Sequence, residues 1–156
     1  MKQYNTMKNE SYTDVTTLIN TVKELALSDL RLNNESTPFM IDDKLQANTL
    51  GLTKHGLGGH IQYVGINMNQ DIYNMIKTIF HEARHIWQIR RFQNYTDKGI
   101  IKVLAGNGPK SYLQYWLQPV EIGARIYSAF AMKKYKRQIK QIISDYANGL
   151  LEEKLC

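Results

Sequence analysis

Apolar residues recur at helical spacing early in the chain, where Val15, Leu18, Ile19, Val22, Leu25 and Ala26 line one face of a segment running from about Thr13 to Leu30. The pattern predicts an amphipathic helix, with Ser11 to Asp14 offering capping groups at its start. Between Thr37 and Asn69 the runs shorten, and Gly56-Leu57-Gly58-Gly59 separates two strand-like stretches. Leu50 to His55 is expected to pair with His60 to Met68 as a hairpin, with Val64, Ile66 and Met68 on one face and Gly65 and Asn67 on the other. The glycine spacing matches neither the dinucleotide nor the P-loop pattern, so a turn is its role. A longer stripe of Ile72, Met75, Ile76, Ile79, Phe80, Ala83, Ile86 and Trp87 predicts a helix from near Asn69 or Asp71 to about Phe92. After the polar break Asn94-Tyr95-Thr96-Asp97, a shorter helical piece is expected over Gly99 to Ala105. The last helix should open at Pro119, a residue favoured at the first helical position, and continue to Tyr146 before Asn148-Gly149. The expected fold class is α+β, a small antiparallel sheet packed by several helices, with residues 1–156 forming a single domain.

Composition narrows the chemistry. A chain of 156 residues can bury a substantial core without disulfides or a structural metal, so any metal here is expected to serve chemistry. The single cysteine, Cys156, offers neither an internal disulfide nor a Cys-rich zinc cluster, which suits a reducing compartment. The opening Met1-Lys2-Gln3-Tyr4-Asn5-Thr6 lacks the apolar run of a secretory signal, and no stretch is apolar enough to span a bilayer. The expectation is a soluble, cytoplasmic protein with no membrane partner. A net charge of +6 would admit a nucleic-acid partner, using Arg90-Arg91-Phe92 and Lys134-Tyr135-Lys136. Much of the basic excess sits in Lys133, Lys134, Lys136, Arg137 and Lys140 on one late helix, where a solvated face is the simpler reading.

The residues that carry chemistry are His81-Glu82-Ala83-Arg84-His85. On a helix, histidines four apart stand one above the other and can direct two imidazoles at one ion. Glu82 lies beside them, close enough to hold a water at the ion without ligating it. At about 100° per residue both histidines fall nearly opposite the Ile72/Ile79/Ala83 stripe, away from the expected core. An open catalytic site takes a third protein ligand. The extended metzincin pattern is closed, because Gln88 and Arg91 stand where it needs glycine and histidine. Glu121 stands out in the first turn of the Pro119 helix, although an acidic residue there also suits the helix dipole. His55 and His60 are the alternatives, and Tyr112, Tyr115 and Tyr127 are candidates for stabilising an oxyanion.

Phe80-His81-Glu82-Ala83-Arg84-His85-Ile86-Trp87-Gln88, followed by Pro119-Val120-Glu121-Ile122-Gly123-Ala124-Arg125, resembles the small HExxH zincin-type metallopeptidases of phages and mobile elements, as in the gluzincin group and the ImmA/IrrE-type proteins. The resemblance covers about residues 60 to 130. It implies a zincin-like fold and a zinc ion (Zn2+) held by His81, His85 and Glu121, with Glu82 as general base in hydrolysis of a peptide or protein substrate. Gly123 and Ala124 stand where such helices often carry an acidic partner for the site. The competing expectation is a non-catalytic, zinc-containing regulatory or nucleic-acid-binding protein of a mobile element.

Overall fold

The computed structural model describes residues 2–55, 60–91 and 118–149, with side chains described from Asp14 onward apart from His55. Helix α1 spans Lys2–Asp29, well beyond the expected start near Thr13. No glycine or proline interrupts residues 2 to 12, so nothing local stops the helix at Ser11 to Asp14. Val15, Leu18, Ile19, Val22 and Ala26 are buried as the periodicity requires. The helix ends where Arg31 turns left-handed at φ 57°. There Arg31 N donates to Ser28 O at 3.1 Å and Leu32 N to Leu27 O at 2.8 Å, which closes the last carbonyls in a Schellman motif.

Three strands follow: β1 (Phe39–Ile41), β2 (Gly51–His55) and β3 (Ile61–Ile66). The β2–β3 hairpin forms as expected, antiparallel, with Thr53 opposite Val64. The sheet as a whole is mixed and not antiparallel, because β1 joins β3 in parallel with Phe39 opposite Val64, giving the order β1-β3-β2. The central position of β3 explains why Val64, Gly65 and Ile66 are all buried, and among the described residues it leaves β1 and β2 as the outer strands, with β2 packed on the helix that follows the sheet.

Helix α2 covers Ile72–Arg91. Asp71 caps it: its carboxylate accepts Asn74 N at 2.8 Å and Asn74 Nδ2 at 2.6 Å. Ile79, Ala83 and Ile86 are fully buried, and so, on other faces, are Phe80, Glu82 and His85 or nearly so. The expected open side of α2 is therefore covered. What covers it is α3 (Pro119–Lys134), which begins at Pro119 as its sequence demands.

The expected single last helix breaks at Tyr135 into α3 and α4 (Lys136–Ala147). Tertiary contacts converge at the break. Asp29, at the end of α1, accepts hydrogen bonds from the hydroxyls of Tyr127 and Tyr135 and from the Lys134 ammonium, while the Tyr135 ring stacks on Phe80 at 6.1 Å between centroids. One hydrophobic cluster draws on α1, β1, β3, α2, α3 and α4, which makes the class α+β. Among the described residues no helix is long and apolar enough to cross a membrane. The short helix expected over Gly99 to Ala105 lies outside the described residues.

Candidate metal centre

His81 and His85 reach the same point because they lie four residues apart on α2, and their rings meet edge to face with centroids 4.7 Å apart. Their Nε2 atoms are 3.0 Å from each other. Glu121 enters from the first turn of α3 and divides its oxygens between them, Oε2 lying 3.3 Å from His81 Nε2 and Oε1 3.3 Å from His85 Nε2. These three residues form a group that can hold a metal ion.

The group is sheltered. Glu121 is 3% exposed, His85 7%, and His81 is partly buried. Glu121 Oε2 is buried and accepts no hydrogen bond, even with Arg125 Nη2 at 3.5 Å. A buried carboxylate oxygen without a donor is costly, by about 1–3 kcal/mol, unless another electrophile meets it. Burial alone would push the Glu121 carboxyl up, but the contacts from His81 and His85 outweigh it and hold the group below the usual carboxylate range. Burial likewise opposes charge on His85, yet the facing Glu121, with Glu82 and Gln88, raises its pKa. The protein thus presents an anion and two nitrogens that together favour a cation between them.

Glu82 sits next to this group without belonging to it. It is 5% exposed and turned toward the sheet, where Thr53 Oγ1 donates to its Oε2 at 2.8 Å. Gly51 makes that seat possible, since a Cβ there would lie 3.0 Å from both Cγ and Oε1 of Glu82 and 2.6 Å from Thr78 Cγ2. Gln88, one turn beyond His85, accepts or shares the proton of His85 Nδ1 through its Oε1 at 2.9 Å and donates from Nε2 to Val120 O at 2.9 Å.

Of the residues expected from sequence, His81, His85 and Glu121 come together, with Glu82 alongside. His60 is exposed at the start of β3 and is not part of the group, and the side chain of His55 lies outside the described residues. Tyr127 is not an oxyanion donor here: its hydroxyl is given to Asp29 at 2.9 Å. Tyr112 and Tyr115 lie outside the described residues. The late basic residues Lys133, Lys136, Arg137 and Lys140 are exposed, and Arg90 pairs with Glu35 at 2.8 Å. Gln88 and Arg125 were findable as neighbours of His85 and Glu121 at i+3 and i+4 spacing. Thr53 and Gly51 had no local signal, because they approach Glu82 only through the packing of β2 on α2. Comparison with family models, curated proteins and solved structures finds no match for the chain.

Proposed function

We propose that the chain is a zinc-dependent peptidase of zincin-like fold, with zinc held by His81, His85 and Glu121 and with Glu82 as general base. The carrying observation is the convergence of two imidazole nitrogens and a carboxylate at 3.0–3.3 Å from one another, in a largely buried group with one carboxylate oxygen left without a hydrogen bond. Ligands at about 2.0–2.1 Å in a tetrahedron stand about 3.3 Å apart, which is the spacing of these donors. Three protein ligands of this type leave a fourth position open, the arrangement of catalytic rather than structural zinc.

A bound zinc supplies a Lewis acid that polarises a carbonyl and makes water nucleophilic near neutral pH. With the ion bound, the role of Glu82 would be to take a proton from the attacking water and return it to the departing amine nitrogen. Thr53 donates to Oε2 of Glu82 at 2.8 Å and so fixes the carboxylate from the sheet side. Burial of the group excludes bulk water, which strengthens every charge interaction within it. The side of β2 that is unpaired among the described residues is where an extended peptide would pair, on the strand that also holds Glu82.

Two measurements test this reading. The purified protein should carry one zinc per chain, lost on His81→Ala, His85→Ala or Glu121→Ala. Glu82→Gln should keep zinc and fold but lose about 10²–10⁴-fold in peptide hydrolysis, because the amide has the shape of the acid without its basicity. A Glu82→Gln protein as active as wild type overturns the mechanism, and full zinc in the histidine variants overturns the centre.

A further inference from the structure

We infer that Gln88 is the positioning residue of this centre: it sets which ring nitrogen of His85 faces the ion. The inference rests on the reading of His81, His85 and Glu121 as metal ligands.

The hydrogen bonds determine the direction of the chain. Val120 O is a carbonyl and can only accept, so the Gln88 atom 2.9 Å from it is the amide nitrogen. The other end of the amide, Oε1, then faces His85 Nδ1 at 2.9 Å, and it too can only accept. His85 must therefore carry its proton on Nδ1. In the neutral ring this leaves the lone pair on Nε2, the atom directed at His81 Nε2 and Glu121 Oε1.

The same side chain also reaches α3, where its bond to Val120 O holds the amide the right way round for His85. Val120 immediately precedes Glu121, so the bond to Val120 O ties the start of that helix to α2 beside the ligands. Gly123 keeps the space for it, since a Cβ at that position would lie 3.1 Å from Gln88 Nε2. This accounts for the missing acidic residue at Gly123 and Ala124: support comes from α2 itself. A neutral amide also orients His85 without placing a third carboxylate beside Glu82 and Glu121. Orienting partners of ligand histidines commonly change metal affinity by about 10–100-fold.

The test is zinc affinity by chelator competition on the full chain, for wild type, Gln88→Met and Gln88→Glu, with thermal unfolding of each metal-free protein measured alongside. Gln88→Met keeps the volume and loses both hydrogen bonds, so zinc affinity should fall about 10–100-fold. Gln88→Glu still offers an oxygen to His85 Nδ1 but cannot donate to Val120 O. Its zinc affinity should stay within several-fold of wild type, although its unfolding temperature drops. A side chain that serves only as a strut between α2 and α3 would give equal zinc losses in both variants, and that result overturns the inference. So does wild-type affinity in Gln88→Met. Absence of zinc binding by the wild-type chain overturns the metal centre itself and, with it, this role for Gln88.

Discussion

Thr53 on β2 donates its hydroxyl to Glu82 on α2 at 2.8 Å, so the carboxylate proposed to carry the proton is held by the sheet rather than by its own helix. Thr53→Val keeps the shape and removes the donor. A hydrogen bond to a charged group is worth about 1.5–3 kcal/mol, which corresponds to a loss on the order of 10–100-fold in kcat/KM if the bond keeps Glu82 in line. Zinc content should not change. Unaltered kcat/KM for a peptide that the wild type cleaves would mean that the sheet does not orient Glu82.

Gly51→Ala tests the same seat from its other side. The added methyl would meet Thr78 Cγ2 at 2.6 Å and Glu82 at 3.0 Å, so either β2 retreats or the carboxylate turns away. Overpacking of this kind costs about 1–3 kcal/mol, readable as a lowered denaturation midpoint. Hydrolysis should fall while the ligands, which do not touch Gly51, keep their zinc.

Acid lability is expected from the Glu35–Arg90 pair. The Arg90 guanidinium, against the opposing effect of burial and with help from Thr37, lowers the Glu35 pKa from 4.5 to about 2. A carboxyl whose folded pKa lies below its unfolded value contributes stability above the unfolded value and loses it as pH falls through the folded one. The contribution is thus complete above about pH 4.5 and disappears toward pH 2. Chemical denaturation across this window should show a steeper loss for wild type than for Glu35→Gln. Parallel curves would show that the pair does not couple to folding.

Arg31 occupies a left-handed position at the end of α1, with φ 57°. Its Cβ makes that conformation unfavourable, and its side chain is exposed. Arg31→Gly removes the steric penalty at the price of a looser unfolded chain, for a net gain of about 0.5–1 kcal/mol. A thermal transition about 1–4 °C higher is the expected reading for a domain of this size. An unchanged or lower transition would mean that the arginine side chain contributes more than its backbone costs.

The sequence by itself determined the parts of the protein that depend on spacing along one element. Histidines at 81 and 85 must lie on one face of any helix that contains both, and the stripe through Ile79, Ala83 and Ile86 required that helix. Pro119 marked the start of α3, and the glycines after His55 separated the two strands of the hairpin. What only the tertiary structure decided are the relationships between elements. Glu121 stood out in sequence with His55 and His60 as alternatives, but only the packing of α3 on α2 brought Glu121 to 3.3 Å from the histidines, while His60 stayed exposed. The central place of β3 depends on β1, a three-residue strand too short to have a readable period. At the break, Tyr135 gives its hydroxyl to Asp29, more than a hundred residues earlier, and the seat of Glu82 is formed by Gly51 and Thr53, which meet it across a packed interface. Local periodicity follows from the geometry of a single helix or strand, whereas these contacts form between residues far apart in the chain, where burial and hydrogen-bond satisfaction select one packing among many.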